Sequence, residues 1–309
     1  IGKPEIFRIE RVMAEVAQAL YAAYVVHRYN EALVVTGIAP RIRSIVTGGG
    51  TGVPSRIMST LPNLEIISIN GIETDAVDLV QASHRGISVT TTQNVLTDDV
   101  ADLALAFILA ATRYLLPGDC FVRNGQWGTG FIPLAHKVTG KKLGIFGMGK
   151  VGQAISRRAH GFDMPVSYFS RTNLELPDIP FIPSLTALAK QSDILVVAAS
   201  GGPQSRHLVN RDVMEALGPD GLLVNISRGS VVDEQTMVSL LQDGKLGKAA
   251  LDVFENEPSV PAALYGMSNV VLQPHRASAT VETRRQMGQL VTANLAAHFC
   301  GAPLLTPVI

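Results

Sequence analysis

The sequence predicts an α/β fold with two doubly wound parallel sheets, and three observations lead to this prediction. Short apolar runs alternate with amphipathic stretches along nearly all of the 309 residues, a pattern typical of parallel strands covered by helices on both faces. A long, nearly all-apolar helical stretch after Thr97 divides this alternation into an earlier and a later series. The later series opens with glycines placed between a strand and a helix, and a chain of this length commonly forms two domains.

Five strands, with helices between them, are expected in the earlier series. The apolar runs that predict strands are Ile6–Ile9, Tyr24–His27, Ile42–Thr47, Glu65–Ile69 and Ser88–Thr91. The amphipathic stretches that predict helices include Pro54–Thr60 and Asp75–His84.

A long apolar helix is expected next. Thr97 has the residue type of an N-cap, and Asp98 and Asp99 would lie in a first turn, where the helix dipole favours acids. Such a helix is expected to be buried on most sides, as between two domains, and to end at Pro117-Gly118. Its longest uncharged run has ten residues, Leu103 to Thr112, which is about half of a membrane span, so no span is predicted.

The later series predicts six strands and a final helix. Its apolar runs are Lys142–Phe146, Val166–Phe169, Asp193–Ala199, Leu222–Ile226, Ala249–Val253 and Val270–Gln273. A helical pattern then covers Thr280 to Phe299, and the tail after it is expected to end on the surface or to return to the first domain.

Composition excludes several classes of partner. The 26 Lys and Arg residues balance 26 Asp and Glu residues, so nothing favours a nucleic acid or an anionic membrane surface. Cys120 and Cys300 are the two cysteines and no Cys/His cluster surrounds them, which predicts reduced thiols in a cytoplasmic protein, with no disulfide framework and no metal site.

Gly147, Gly149 and Gly152 form a dinucleotide fingerprint in its required context, directly after an apolar strand and at the start of a helix. In this motif the first glycine makes a tight turn, the second lets the backbone approach a pyrophosphate, and the third lets helix and strand pack closely. The helix N-terminus then offers unpaired N–H groups to the phosphates. The motif therefore predicts a dinucleotide site.

The end of the next strand predicts which dinucleotide binds there. An NAD site usually has Asp or Glu about twenty residues after the fingerprint, where it holds the ribose 2′-hydroxyl. Here the strand ends in Ser170-Arg171-Thr172, and the first acid is Glu175. A guanidinium and two hydroxyls would bind a 2′-phosphate that an acid would repel, so NADP is expected, with NAD as the weaker alternative.

Three later strands carry polar residues at their carboxyl ends, the edge at which open α/β sheets bind ligands. These residues are Arg228, then Asp252 with Glu255 and Glu257, then His275. The three residue types suit the reduction of a 2-oxo acid: a cofactor supplies hydride, an arginine holds the carboxylate and polarises the carbonyl, and a histidine protonates the alkoxide. From the residues alone these roles stay open, because a histidine at a strand end is more often structural.

At this point the chain resembles a known family. Its segments NVLTDDVADLALAFILA, GIFGMGKVGQAI, NISRGSVVDE, LDVFENEP and TVETRRQMGQLVTANLAAHF are similar to those of the D-2-hydroxyacid dehydrogenases, in particular the branch of hydroxyphenylpyruvate, hydroxypyruvate and glyoxylate reductases. The resemblance runs from about Ile42 to the C-terminus, and the residues before it fit only in general pattern.

The resemblance implies a discontinuous fold with a cleft that closes on binding. Residues 1–94 and 280–309 would form a flavodoxin-like substrate domain, and residues 95–279 a Rossmann domain that binds NADP. The implied activity is NADPH-dependent reduction of glyoxylate, hydroxypyruvate or a related small 2-oxo acid to the D-2-hydroxy acid. A homodimer is also implied, with the long helix and the segment of Trp127 near its two-fold interface.

The resemblance further assigns residues. Arg228 would bind the substrate carboxylate and carbonyl, His275 would be the general acid, and Glu257 its partner. Residues that would border the substrate, with backbone N–H groups near 71–73 on its carboxylate, are Gly49, Gly50, Gly71, Ile72, Glu73, Arg228, Arg276 and Ser278. Residues that would border the cofactor are Thr97, Gly147, Met148, Gly149, Lys150, Val151, Gly152, Ser170, Arg171, Thr172, Ala199, Ser200, Pro203, Ser205, Ile226, Ser227, Arg228, Asp252, His275 and Ala277.

Two departures from the family pattern stand near the expected substrate. Relatives have a small residue where this chain has Glu73, and a Val-Gly or Ile-Gly pair where it has Arg276-Ala277. A carboxylate beside an anionic substrate is unfavourable, with a repulsion of ~4 kcal/mol at ~4 Å and an effective dielectric constant of ~20. We hypothesise that Glu73 and Arg276 pair across the cleft and favour small or polyhydroxylated 2-oxo acids. The alternative is that both side chains point to solvent.

Other functions of the same fold are open at this stage. A dinucleotide-sensing co-repressor would share the motifs without turnover, although such proteins typically prefer NAD and carry extensions. A formate dehydrogenase would have glutamine in place of Glu257, and a phosphoglycerate dehydrogenase would often add a C-terminal regulatory domain. Turnover of any 2-oxo acid would separate an enzyme from a co-repressor.

Overall fold

A computed structural model describes residues 2–29 and 37–309 of the chain. The chain divides into two compact units, Ile1–Leu96 with Ser278–Ile309, and Thr97–Ala277. These bounds differ by two residues from the predicted domain boundaries. Ile1 and residues 30–36 of the predicted first domain lie outside the described residues.

The strands and helices follow the predicted alternation. The strands are β1 (Glu5–Arg8), β2 (Val25–Arg28), β3 (Ile42–Gly48), β4 (Ile66–Asn70), β5 (Ser88–Thr90), β6 (Leu143–Phe146), β7 (Val166–Phe169), β8 (Ile194–Val197), β9 (Leu222–Asn225), β10 (Lys248–Leu251) and β11 (Val270–Leu272). The helices are α1 (Ala14–Ala23), α2 (Ser55–Ser59), α3 (Leu79–His84), α4 (Thr97–Thr112), α5 (Leu115–Arg123), α6 (Lys150–His160), α7 (Leu185–Lys190), α8 (Arg211–Leu217), α9 (Glu234–Gln242) and α10 (Val281–Cys300). Short 3-10 turns cover Ala39–Arg41, Gly229–Val231 and Ala262–Gly266.

The sheet of the first unit is parallel throughout and has the strand order β2-β1-β3-β4-β5. Because neighbouring residues of a strand point to opposite faces, Ile6 packs with α1 and α10 on one side while Phe7 packs with α2 on the other. The order reverses between β1 and β3, so this unit has its topological switch point there, where open sheets of this kind bind ligands.

The C-terminal helix belongs to the first unit. It begins after Thr280, whose hydroxyl caps it by accepting the Thr283 N–H. Near its other end His298 lies 3.0 Å from Glu65, which also accepts two hydrogen bonds from Arg43. The tail then returns to the sheet, where Val308 donates to the Val89 carbonyl at 2.7 Å.

The sheet of the second unit has six parallel strands in the order β11-β10-β9-β8-β6-β7. One apolar cluster joins α7, α8 and α9 to one face, and α4 and α6 cover the other. The chain leaves β6 toward β7 and comes back on the other side as β8, which places the switch point of this sheet between β6 and β8.

The predicted end of the long helix was wrong. α4 ends at Thr112, Tyr114 adopts a left-handed conformation with φ +51°, and α5 follows at an angle of 60° to α4. Pro117 and Gly118 lie inside α5, not after a helix. A proline is tolerated there because the N–H groups of a first turn have no partner within the helix. Among the described residues no single helix is long and apolar enough to cross a membrane, although the bent pair α4 and α5 would meet the length and composition together.

Candidate active site

A cavity of about 460 Å³ lies at the carboxyl ends of β6, β7 and β8, at the switch point of the second sheet. Gly147 has φ +98°, and a Cβ there would lie 2.5 Å from the Ala199 nitrogen. A Cβ on Gly149 would meet nothing within 4 Å, so space is open in front of the first N–H groups of α6. A Cβ on Gly152 would collide with the Gly147 carbonyl, as close packing of helix on strand requires. The three glycines therefore fit a bound pyrophosphate.

Half of the residues expected to border the cofactor line this cavity, namely Gly147, Met148, Gly149, Ser170, Arg171, Thr172, Ala199, Ser200, Pro203 and Ser205. Lys150, Val151 and Gly152 form the first turn of α6 beside it, and Thr97 begins α4. The others follow β9, β10 and β11, namely Ile226, Ser227, Arg228, Asp252, His275 and Ala277. The expected cofactor residues did not include the other lining residues, namely Phe146, Phe169, Leu174, Ala198, Gly201, Gly202, Gln204 and Leu208.

The cavity wall formed by β7 carries the residues that predicted NADP. Arg171 is exposed and donates from Nη1 to Gln204 Oε1 at 3.3 Å, so the two side chains lie together on the wall. Ser170 donates its hydroxyl to the Thr172 carbonyl at 2.5 Å. Among the described residues that line the cavity there is no Asp or Glu. The wall therefore offers a guanidinium and amide to an anionic group and no carboxylate to a ribose 2′-hydroxyl.

His275 and Glu257 form a hydrogen-bonded pair. His275 Nδ1 lies 2.7 Å from Glu257 Oε2, and Glu257 Oε1 accepts the Phe254 N–H at 3.0 Å. An ionised carboxylate can only accept a hydrogen bond, so the proton of this bond belongs to His275 Nδ1. Nε2 is then the ring nitrogen that can exchange a proton with a ligand. Their side chains are 38% and 35% exposed, which leaves both within reach of solvent and of small molecules.

Electrostatics favour an ionised Glu257 opposite a cationic arginine. Burial acts to raise the pKa of Glu257, but hydrogen bonds from His275 and Phe254 and the charges of His275 and Arg228 together lower that pKa below its ordinary value. Burial lowers the pKa of Arg228 to about 10, against the charge of Glu257, and the guanidinium is still protonated at neutral pH.

Asp252 holds the backbone that carries His275. His275 has a left-handed φ of +51°, which is uncommon for a residue other than glycine. The fully buried Asp252 accepts the Arg276 N–H at 2.7 Å and the Ala277 N–H at 2.8 Å, one on each carboxylate oxygen, while its own carbonyl accepts the His275 N–H. Burial raises the pKa of Asp252, and the two N–H donors oppose that rise.

The first unit presents a glycine loop, residues 48–52, at its switch point. Glu73 Oε2 lies against Gly49 and Gly71, two other residues expected to border the substrate. A Cβ added to Gly49 would collide with this oxygen, and a Cβ added to Gly71 would lie 2.8 Å from it. Glu10, which follows β1, lies over Gly48 and accepts a hydrogen bond from the Thr51 hydroxyl.

Glu73 therefore lies on the glycine loop of its own unit. Glu10 was missed by sequence reasoning, because only the strand order brings the end of β1 beside the end of β3. Gly50 opens to free space, Ile72 is 39% exposed, and Ser278 begins the C-terminal part of the same unit. Arg276 is exposed in the second unit, and its pairing with Glu73 stays a prediction.

Comparison with known proteins gives consistent matches. The family described as "D-isomer specific 2-hydroxyacid dehydrogenase, NAD binding domain" matches residues 105–277. A 2-ketogluconate reductase of Gluconobacter oxydans (strain 621H) is 48% identical over 308 residues, which cover 100% of this chain and 99% of that protein. A glyoxylate/hydroxypyruvate reductase A of Arabidopsis thaliana is 50% identical over 270 residues, or 87% of this chain and 86% of that protein.

A solved structure shares the fold as well. An NADPH-dependent glyoxylate/hydroxypyruvate reductase of Sinorhizobium meliloti, in complex with NADP and malonate, is 39% identical, with a TM-score of 0.94. The match covers 99% of this chain and 97% of that one. No group of His, Cys, Asp and Glu able to hold a metal ion occurs among the residues that the structure describes.

Proposed function

This chain belongs to the D-isomer-specific 2-hydroxyacid dehydrogenase family, and we propose that it reduces a small 2-oxo acid to the D-2-hydroxy acid with NADPH. Glyoxylate, hydroxypyruvate and sugar-derived 2-oxo acids are the substrates proposed. The observation that carries the proposal is the hydrogen-bonded pair of His275 and Glu257, which stands with Arg228 at the carboxyl edge of the sheet that also forms the dinucleotide cavity.

Each catalytic side chain has one task. Arg228 holds the substrate carboxylate by charge-assisted hydrogen bonds and draws electron density from the carbonyl oxygen. Glu257 orients the imidazole through Nδ1 and stabilises its positive charge, so that His275 presents a proton on Nε2. The carbonyl carbon accepts hydride from the nicotinamide, and the Nε2 proton completes the new hydroxyl group on the carbonyl oxygen.

The preference for NADPH rests on the wall formed by Arg171 and Gln204. A guanidinium next to a 2′-phosphate supplies charge and directed donors, whereas NAD recognition usually relies on a carboxylate at this strand end. The NADP-bound relative from Sinorhizobium meliloti, named as NADPH-dependent, supports the same choice.

The preference for hydroxylated substrates rests on the acids at the glycine loop. Carboxylates of Glu10 and Glu73 accept hydrogen bonds from hydroxyl groups, while they repel a second anionic group and offer no apolar surface to an aromatic ring. A substrate whose carbon chain carries several hydroxyls meets both conditions. The relative named for 2-ketogluconate, which matches the whole chain, supports a sugar-derived 2-oxo acid.

A substrate screen tests the proposal. Oxidation of NADPH is followed with glyoxylate, hydroxypyruvate, 2-ketogluconate and phenylpyruvate, and turnover is expected for the first three and weakest for phenylpyruvate. Substitution His275→Ala should lower turnover by about 10²–10⁴ while NADPH binding is retained. NADPH binding without turnover of any 2-oxo acid would favour the co-repressor alternative.

A further inference from the structure

Glu234 is an acidic residue that the proposed reaction leaves unused. It begins α9, after Asp233 caps that helix by accepting the Thr236 N–H. Its side chain does not extend into solvent, as an acid in a first turn ordinarily does, because Glu234 is only 8% exposed. Instead Glu234 Oε2 accepts the backbone N–H of Glu255 at 3.0 Å.

Glu255 lies in the turn that carries the partner of the general acid. In this turn, residues 254–257, the Phe254 N–H binds Glu257 Oε1, and Glu257 Oε2 binds His275. The turn also packs directly on Gly229, where a Cβ would collide with the Phe254 carbonyl. A shift of the turn would therefore move the Glu257 carboxylate away from the imidazole.

The side chain of Glu255 extends the same arrangement toward the cofactor cavity. Its Oε1 binds Arg206 at 2.6 Å and His207 at 2.8 Å, and these residues lie in the loop that lines the cavity through Ser205 and Leu208. The Glu255 backbone is thus held by α9 while its side chain holds the cavity loop.

The buried carboxylate of Glu234 is expensive to keep at this place. Burial raises its pKa, the Glu255 N–H opposes the rise, and the charges of Glu255 and Glu257 add to it. A helix start needs no buried acid, since an exposed glutamate interacts with the helix dipole equally well. The cost of burying this carboxylate indicates that Glu234 serves the contact with the turn and not the stability of α9.

We propose that Glu234 is a positioning residue of the reaction, which fixes the turn at the Glu255 N–H and so keeps Glu257 against His275. The proposal rests on the proposed function, because it acts through the Glu257–His275 pair. The charges of Glu257 and Asp252 act on His275, and the charge of Arg228 acts on Glu257.

Four variants test the proposal. Glu234→Gln keeps an oxygen that can accept the Glu255 N–H, and Glu234→Met removes that oxygen at similar side-chain volume. Glu234→Asp keeps the charge but shortens the side chain by one methylene, and it serves in case Glu234→Met fails to fold. Asn210→Ala is the matched control, because it also loses one side-chain bond to a backbone N–H, at the start of α8.

Turnover, the pH dependence of reduction and NADPH affinity are measured for each. Glu234→Met and Glu234→Asp should each lower kcat roughly tenfold, about the equivalent of one hydrogen bond, with NADPH affinity unchanged. In both, reduction should fade at lower pH than in the parent, because the carboxylate that stabilises the imidazolium has moved. Glu234→Gln and the Asn210→Ala control should have the kcat, pH dependence and NADPH affinity of the parent.

A double substitution separates this proposal from the proposed function. If Glu234 acts through Glu257, Glu234→Met should add little to Glu257→Gln in both kcat and pH profile. The positioning role alone is overturned if the losses in kcat from the two substitutions multiply. It is also overturned if Glu234→Met has the parental kcat and pH profile while Glu257→Gln is impaired. A Glu257→Gln protein with unchanged kcat overturns the catalytic pair and the positioning role together.

Discussion

At the scale of single residues, the site depends on backbone conformations that side-chain types do not reveal. The histidine, the arginine and the acid could be found in the sequence because each follows an apolar run. The left-handed backbone of His275 could not, because it depends on Asp252, which follows β10 and accepts two successive N–H groups from the segment after the neighbouring strand β11.

Asp252→Asn tests that arrangement. An amide has one oxygen, so one of the two N–H groups would face an NH₂ group, at a cost of about 1–3 kcal/mol for the unsatisfied donor. We expect a lower melting temperature and a turnover loss larger than the loss in NADPH affinity. Parental turnover in a correctly folded variant, checked by circular dichroism, would show that the turn does not depend on this acid.

The pair of His275 and Glu257 predicts a pH dependence with a definite sign. Reduction needs a proton on the imidazole, so the rate should fall as the pH rises, and oxidation of the hydroxy acid should gain. Glu257→Gln should move that fall to lower pH, because a stabilising negative charge is lost. Since the pKa of Glu257 is lowered, reduction should persist on the acid side until the pH drops below the ordinary carboxyl value. Initial rates in both directions across pH check these signs.

Arg171→Ala tests the cofactor proposal. It should raise the KM for NADPH roughly tenfold or more and leave NADH nearly unchanged, because a charge-assisted hydrogen bond to a 2′-phosphate contributes ~1.5–3 kcal/mol. Arg157→Ala is a suitable control, since Arg157 is an exposed arginine of α6 outside the cavity. Equal losses with both cofactors would contradict a role at the 2′-phosphate.

At the scale of elements, the apolar runs predicted both sheets because parallel strands buried on two faces leave a continuous signal. The break between α4 and α5 escaped prediction, since nothing in residue type marks Tyr114 as left-handed, and Pro117 is a strong stop signal only outside a first turn. Glu10 escaped as well: its neighbour Gly48 is distant in sequence and is brought near by the reversal of strand order. Local sequence patterns therefore predict strands and helices well. They predict contacts between strand ends only when the order of the strands in the sheet is already known.

The glycine loop gives a prediction at this scale. Gly49→Ala should disturb the loop, because the new methyl group meets the Glu73 carboxylate, and Glu73→Gly should remove most of that penalty. A double-mutant cycle on kcat/KM with 2-ketogluconate should show coupling of at least ~0.5 kcal/mol. Glu73→Gly alone should raise activity on phenylpyruvate relative to 2-ketogluconate. Additive effects with an unchanged substrate ranking would mean that Glu73 has no influence on the choice of substrate.

At the scale of the whole molecule, apolar side chains are exposed along α5 and the segment after it. Trp127, Phe131 and Leu134 are 80%, 82% and 90% exposed, and exposed apolar patches often mark interaction surfaces. The homodimer stays a prediction, and this surface is where we expect it to form. Light scattering should give twice the chain mass of 32.9 kDa for the parent and a shift toward the single mass for Leu134→Asp. Leu305→Asp, an exposed leucine elsewhere, should leave the mass unchanged.

The tail that pairs with β5 has a consequence for the order in which the protein is made. Thr306 binds the Thr91 carbonyl across 215 positions of sequence, and all of the second unit is translated between them. On a ribosome the second unit has every one of its strands before α10 emerges, whereas the first sheet still lacks one of the two helices that pack on the face of Ile6. The first sheet, although made first, is therefore completed last, and until then the apolar face that α10 will cover is open to chaperones.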